Sequence, residues 1–275
     1  MSAPGLEVAV DELAPDGARR LGATIGDPRP FAAGDELPLL WHWAYFAALV
    51  PTSGLGPDGH PPRTDAYVGR FPRRMAGGGS VERRGPLVIG RPAQRRSEVE
   101  RAEEVRGRSG DLAIVTWRHE YLQDGAVVRV ERQHLVYRGA PTPPAPASPA
   151  GSPPPAPSPS EGFRRRLGFD PVLLFRYSAA TWNSHRIHYD RSYVVGVEGY
   201  RGLLVHGPLL ATLLAAEAEA ELGPLARVEY RARAPVFDDD TVDVLATSAE
   251  RGAMTLEARK PGGEVAMTLE AHGLD

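Results

Sequence analysis

Three of the chain's eight histidines, His185, His188 and His206, fall within 22 residues in a segment more polar than its surroundings. The first two are accompanied by a group of polar side chains: Asn183, Ser184, Arg186, Tyr189 and Asp190. A neutral imidazole can accept or donate a proton near pH 7, which makes histidine the most frequent general acid or base. The segment therefore predicts either a proton-transfer site centred on His188 or a surface loop in which His188 is a structural hydrogen-bonding residue.

A second feature follows directly, because His206 and Gly207 precede an Ala/Leu-rich segment, residues 208–222, that is typical of a helix. Proline is well tolerated at the start of a helix, and glycine lets a substrate approach the backbone closely. Backbone N–H groups at a helix start stabilise a negatively charged oxygen. The pattern predicts an oxyanion site at Gly207. One apolar stripe of the helix is expected to hold Leu209, Leu213, Ala216 and Ala220.

Other chemistries are less well supported by the sequence. His185, His188 and His206 could form a three-histidine zinc site, but no cysteine or carboxylate is clearly placed to complete it. Ser178 and Ser184 lack the G-x-S-x-G pattern of a hydrolase nucleophile. The glycines at positions 77–79 are not followed by G-K-S/T and do not form a phosphate-binding loop.

The chain divides at residues 140–160, which consist only of Ala, Pro, Ser, Thr and Gly. Such a segment can bury little apolar surface and is predicted to be an extended linker. The predicted organisation is an N-terminal domain over residues 1–139, the linker over 140–160, and a C-terminal domain over 161–275.

The two predicted domains have similar patterns. The first has an apolar segment at 37–51, predicted to be a helix ended by Pro51, then strand-like segments at 81–90, 94–106, 112–123 and 126–138. Asp124-Gly125 between the last two is a strong hairpin signal. The second has the helix at 208–222 and strand-like segments at 226–234, 241–249, 254–260 and 264–271. One helix followed by four strands, twice, predicts an α+β fold in which an antiparallel sheet wraps a long helix.

Composition narrows the class of protein. The chain of 275 residues has no cysteine, a net charge of −3 and no apolar run of the ~20 residues that span a bilayer. Its first residues lack the apolar stretch of a signal peptide. We therefore expect a cytoplasmic protein with no disulfide and with neither nucleic acid nor membrane as a partner.

Several segments resemble one known family. They are FRYSAATWNSHRIHYD (175–190) and VEGYRGLLVHGPLLATLL (197–214), with LPLLWHWAYF, FPRRMAGGGSVE, GRSGDLAIVTWRHEY and ERQHLVYR in the first half. The resemblance is to the MaoC-like hotdog hydratases and dehydratases, in the branch of mesaconyl-C4-CoA hydratase and fungal mitochondrial 3-hydroxyacyl-thioester dehydratase. It implies two hotdog units fused as a double hotdog. The N-terminal unit would be non-catalytic, because it lacks an Asn/Asp…His pair of the family's spacing.

The resemblance also implies roles for particular residues. His188 takes the place of the family's catalytic histidine, Asn183 that of the aspartate five residues earlier, and Gly207 that of the oxyanion glycine. Asparagine cannot act as a base, so His188 would transfer the protons and Asn183 would orient the water. Arg186, His206 and Tyr189 are the expected substrate-binding residues, with packing as the alternative for His206 and an ion pair with Asp190 as the alternative for Arg186.

The implied activity is hydration of an enoyl-CoA or dehydration of a 3-hydroxyacyl-CoA, and a branched or dicarboxylic acyl group such as mesaconyl is among the expected substrates. No metal or redox cofactor is implied, and the expected partner is an acyl-CoA or an acyl carrier protein. A monomer or a homodimer of double hotdogs is expected. Two further hypotheses stay open: a dehydratase of carrier-bound intermediates, and a non-catalytic acyl-thioester binding protein. A hotdog thioesterase is a weaker alternative.

Overall fold

A computed structural model describes residues 6–61, 70–71, 73–107, 110–139, 162–250 and 252–274. Ten strands form one antiparallel sheet in the order β1-β3-β4-β5-β2-β7-β10-β9-β8-β6. Strands β1–β5 precede the predicted linker and β6–β10 follow it. Each half of the sheet is therefore built from one half of the sequence. The linker itself, residues 140–160, lies outside the described residues, so the domain boundaries stay a prediction.

The described residues of the N-terminal half form one α-helix and five strands. Their bounds are β1 (Glu7–Asp11), α1 (Pro15–Ile25), β2 (Arg73–Arg83), β3 (Ala93–Gly107), β4 (Gly110–Gln123) and β5 (Ala126–Arg138). Short 3₁₀ helices lie at Trp41–Ala44 and Thr52–Gly54. The hairpin predicted at Asp124-Gly125 is confirmed, since both residues have positive φ, 50° and 80°, as a type I′ turn requires.

Within the described part of the C-terminal half there are three α-helices and five strands. Their bounds are β6 (Phe163–Gly168), α2 (Pro171–Ala180), α3 (Arg191–Gly196), α4 (Gly207–Leu222), β7 (Leu225–Ala232), β8 (Thr241–Glu250), β9 (Ala253–Arg259) and β10 (Val265–Gly273). A 3₁₀ turn, Arg186–His188, lies between α2 and α3. Among the helices of the described residues, none is long and apolar enough to cross a membrane.

The predicted helix at 208–222 is confirmed as α4, but the predicted stripe is not. The helix packs on β7, β9 and β10. All seven side chains from Leu209 to Ala215 are buried, whereas Ala216 is half-buried and Ala220 is exposed. A helix wrapped by the sheet and covered by other elements is buried around its circumference, so its first two turns show no single apolar face.

The helix predicted at 37–51 is wrong. The segment contains only the 3₁₀ helix Trp41–Ala44, and Phe46 has a left-handed φ of 55°. Three of its carbonyl groups accept hydrogen bonds from a side chain that is distant in sequence. Arg129 on β5, which is fully buried, donates to the carbonyls of Leu37 and Leu39 at 2.8 Å and of Pro38 at 3.2 Å. The apolar residues are buried as expected, but without helical conformation.

The two halves of the sheet join where β2 pairs with β7, through a register that includes Gly78 opposite Arg231 and Gly79 opposite Tyr230. Both glycines are required by close backbone contacts. A Cβ on Gly78 would lie 2.4 Å from the Tyr230 carbonyl oxygen, and one on Gly79 would lie 2.4 Å from that of Arg132. Gly78 thus allows β2 to approach β7 of the other half, whereas Gly79 allows β2 to approach β5 of its own half.

Candidate active site

The catalytic segment predicted from the sequence lies between α2 and α4. The N–H of Asn183 donates to the carbonyl of Ser178 at 2.8 Å, closing the turn after α2. Trp182, directly before Asn183, has a positive φ of 52°. A left-handed conformation is costly for a residue with a bulky side chain, and such strain is concentrated at functional sites. The turn presents the 3₁₀ segment Arg186–His188 toward the start of α4.

His188 is held as a neutral base. Its Nδ1 lies 2.8 Å from the carbonyl oxygen of Leu204. A carbonyl can only accept a hydrogen bond, so Nδ1 carries the proton and Nε2 keeps its lone pair. Burial lowers the pKa of His188 to about 4; the bond to Leu204 opposes this shift and the charge of His60 adds to it. The imidazole is thus neutral at pH 7 and able to take a proton at Nε2.

His206 braces His188. The two rings stack at 3.7 Å with 19° between their planes, and Nε2 of His206 lies 2.9 Å from the hydroxyl of Ser178. His206 is 1% exposed, so a substrate cannot touch it in this structure. Burial, followed by the charges of His188 and His185, lowers its pKa well below the usual value. This burial and stacking favour the packing alternative for His206, and its substrate-binding role stays a prediction.

The side chain of Asn183 caps a turn. Its Oδ1 accepts the backbone N–H of His185 at 3.0 Å, which is the ordinary capping contact of asparagine. The same carboxamide carries two N–H donors that this contact does not use. Asn183 can therefore hold the loop and hydrogen-bond a water molecule at the same time. Its role in orienting water stays a prediction.

Gly207 is the first residue of α4, so its N–H has no carbonyl one turn earlier in the helix to receive it. A Cβ at this position would meet no atom within 4 Å. The backbone is thus open on the side where a side chain would stand. This geometry suits an oxyanion donor, since the N–H is oriented by the helix and adjoins free space.

The side chains of Arg186 and Tyr189 form hydrogen bonds to other groups of the protein. Nε and Nη2 of Arg186 donate to Asp190, and Nη1 donates to the carbonyl of Pro57. The guanidinium also lies 4.2 Å from the ring centre of Tyr193. Tyr189 is 43% exposed, and its hydroxyl donates to the Ser184 carbonyl. These contacts confirm the ion pair with Asp190 that was the alternative for Arg186, and its role as a substrate clamp stays a prediction.

We name residues 56–60 the docking loop. The sequence alone did not indicate that they contribute to the site. They belong to the N-terminal half but pack on the catalytic segment. Ser184 Oγ donates to the Gly59 carbonyl at 2.5 Å, and the Arg186 N–H donates to the Asp58 carbonyl at 2.9 Å. A Cβ on Gly59, whose φ is +86°, would lie 2.0 Å from the Ser184 carbonyl oxygen. A histidine beside a glycine-rich turn, as in GPDGH, was the only available signal.

The docking loop adds a fourth imidazole to the site. The ring of His60 lies 4.2 Å from that of His185, and His185 lies edge-on to His188 at 5.6 Å. Asp58, His60 and His185 each bring one potential ligand atom within 4.8 Å of the others. The zinc alternative of His185, His188 and His206 is not supported, because the stacked rings of His188 and His206 do not converge on one ion.

Comparisons with known proteins agree with this geometry. Residues 40–238 match the family described as hydroxyacyl-thioester dehydratase type 2. The chain is 40% identical over 276 residues to the mesaconyl-C(4)-CoA hydratase of Chloroflexus aurantiacus, covering 97% of this chain and 95% of that protein. It is 34% identical over 71 residues, 24% of each chain, to the mitochondrial hydroxyacyl-thioester dehydratase type 2 of Schizosaccharomyces pombe.

Solved structures show the same fold. A MaoC-like dehydratase has a TM-score of 0.70 at 16% identity, covering 98% of both chains. A Mycobacterium tuberculosis protein described as a double hotdog has a TM-score of 0.56 at 14% identity, covering 99% of this chain and 96% of that one. The predicted α+β double hotdog and the predicted family are therefore confirmed. The chain belongs to the hydroxyacyl-thioester dehydratase type 2 family and is a hydro-lyase of acyl thioesters.

Proposed function

We propose that the protein hydrates an enoyl-CoA reversibly, with His188 as its only proton-transferring side chain. The observation that carries this proposal is the hydrogen bond from His188 Nδ1 to the Leu204 carbonyl, which leaves a neutral Nε2 as the base. Water addition to a double bond transfers no electrons to an acceptor. A redox cofactor is therefore unnecessary, and the CoA thioester serves as the handle of the substrate.

The steps follow from the placement of these groups. Nε2 of His188 removes a proton from a water molecule that Asn183 orients, and the hydroxyl oxygen bonds to the β-carbon. The electrons of the double bond move to the α-carbon and the thioester oxygen, forming an enolate. The N–H of Gly207 stabilises that oxygen. The imidazolium then returns the proton to the α-carbon, the enolate collapses to the thioester, and His188 is neutral again.

The proposal also concerns the direction of the reaction and the identity of the acyl group. The same groups catalyse dehydration when the steps run backward, since both directions share one transition state. The hydratase of Chloroflexus aurantiacus, 40% identical over most of the chain, is named for mesaconyl-C(4)-CoA. We therefore favour a branched dicarboxylic enoyl-CoA as substrate, with a carrier-bound acyl group as the alternative.

A panel of enoyl-CoA substrates tests this function. Loss of the enoyl absorbance is followed with mesaconyl-C4-, itaconyl- and crotonyl-CoA, and dehydration is followed with the corresponding 3-hydroxyacyl-CoA. We expect hydration, with mesaconyl-C4-CoA giving the largest kcat/KM. If only carrier-bound thioesters are turned over, the acyl group of the substrate is attached to an acyl carrier protein and not to CoA. Binding without turnover of any thioester would contradict the proposal.

A further inference from the structure

The proposed function raises the question of how a free carboxylate is recognised, and the inference here rests on that function. In the C4 thioester of mesaconate, the free carboxylate is bonded to the β-carbon, where the hydroxyl adds. Its binding group must therefore lie next to the water site of His188. Arg186 is close in sequence, but its three nitrogens donate to Asp190 and Pro57, so it holds the docking loop instead.

Two further imidazoles lie near His188. His185 lies edge-on to His188 at 5.6 Å, and His60 of the docking loop lies 4.2 Å from His185. Both are half-buried, in contrast to the buried His206 on the opposite face of the site. His60 is near enough to lower the pKa of His188. These rings thus lie within the electrostatic range of the reaction centre and can be reached from solvent.

Arg74 on β2 completes this group. Its Nη2 lies 3.4 Å from Nδ1 of His60, and its side chain is exposed. Because a guanidinium can only donate, Nδ1 of His60 accepts and the proton of the neutral ring is on Nε2. Arg74 therefore supplies a positive charge and also fixes His60 as an N–H donor directed away from the guanidinium.

The same contacts favour an anion over a metal ion. Asp58, His60 and His185 lie within 4.8 Å of one another, a grouping that could hold either. A metal ion needs an imidazole lone pair, but Nδ1 of His60 faces Arg74 and Nε2 carries the proton. A guanidinium beside the site also repels a cation. The carboxylate of Asp58 belongs to the same cluster, so the positive charge of Arg74 is required for the site to favour a second carboxylate.

We propose that Arg74 and His60, beside His185, bind the free carboxylate of a dicarboxylic acyl thioester. The N-terminal half then supplies substrate specificity to the catalytic residues of the C-terminal half. The docking loop carries His60 into place, and Gly59 permits its close contact with Ser184.

The first test compares kcat/KM for mesaconyl-C4-CoA with kcat/KM for crotonyl-CoA. For Arg74→Gln we expect this ratio to fall roughly 10- to 100-fold, the range that a hydrogen bond to a charged group contributes. His60→Leu should lower the ratio in the same direction, and Arg74→Lys should restore part of it by keeping the charge.

The matched control is Arg84→Gln, since Arg84 is an exposed arginine paired with Glu82 and should leave the ratio unchanged. An equal fall for both substrates, or an unchanged ratio in Arg74→Gln, would overturn the proposal.

The second test needs no turnover, so it separates this proposal from the proposed function. Calorimetry measures the affinity of the full chain for succinyl-CoA, whose carboxylate is also on the β-carbon, and for butyryl-CoA. We expect a preference for succinyl-CoA that Arg74→Gln removes. If the parent hydrates no thioester but shows this preference, the proposed catalysis fails and the carboxylate site stands. No preference in the parent, or Zn²⁺ binding that His60→Leu abolishes, would overturn the carboxylate site.

Discussion

Replacing His188 with alanine is expected to lower kcat by at least ~100-fold, the low end of what a positioned proton-transfer group contributes. The reason is that His188 is the only side chain placed to accept the proton of water in the proposed mechanism. The bond from Nδ1 to the Leu204 carbonyl fixes the tautomer, and burial keeps the ring neutral. The measurement is turnover of the enoyl-CoA that the parent hydrates fastest.

This experiment needs evidence that the variant folds, because His188 is buried against His206. His188→Gln fills more of the space and still cannot serve as a base, so it should lose activity to a similar extent. His272→Ala is the matched control, since His272 is an exposed histidine paired with Glu270 on β10. Near-parental hydration by a folded His188→Ala protein would end the proposed mechanism.

Replacing Glu131 with alanine is expected to lower the free energy of unfolding by roughly 3–5 kcal/mol, because each donor left without an acceptor in the protein interior costs about 1–3 kcal/mol. Glu131 is 2% exposed and accepts hydrogen bonds from Tyr121 at 2.6 Å, Trp43 at 2.9 Å and His42 at 3.0 Å. Burial alone would raise its pKa, but the bond and charge of His42 and the bond from Tyr121 hold it well below the usual range. The variant leaves two buried donors, on His42 and Tyr121, and the half-buried Trp43 N–H without this acceptor.

Urea unfolding of the parent and the variant measures this loss. The matched control is Glu229→Ala, because Glu229 lies on the surface of β7 in a pair with Arg227. Surface pairs of this kind contribute about 0–1 kcal/mol. If the two glutamate variants lose similar stability, the buried network around Glu131 is not what holds residues 37–46 in place.

The error at residues 37–51 shows what an apolar pattern can predict. Leu37, Leu40 and Trp41 are buried, as a run of apolar residues suggests. Their conformation depends on Arg129 and Glu131, which are about 90 positions further along the chain. Sequence periodicity indicates only the local conformational preference of a segment. It gives no information about a side chain far away in the sequence whose hydrogen bonds replace those of a helix. Helix α4 was predictable because its own carbonyl and N–H groups satisfy one another.

The candidate site shows the same limit. His188, Asn183 and Gly207 could be selected because they lie close in sequence and share a recognisable spacing. The docking loop is about 125 positions earlier, and only the fold brings Gly59 and His60 against Ser184 and His185. Arg186 was placed correctly beside the site, but its acceptor Pro57 belongs to that same loop. The ion pair with Asp190 was therefore predictable from the segment around His188, whereas the contact with Pro57 was not.

The central claim is that one imidazole both takes the proton from water and delivers a proton to the α-carbon. Hydration of crotonyl-CoA in D₂O tests it, with the relative configuration of the hydroxyl-bearing and deuterium-bearing carbons read by proton NMR. Because His188 occupies one face of the substrate, we predict that hydroxyl and deuterium add to the same face. Addition to opposite faces would require a second acid on the other side of the double bond, and would contradict the single-base mechanism.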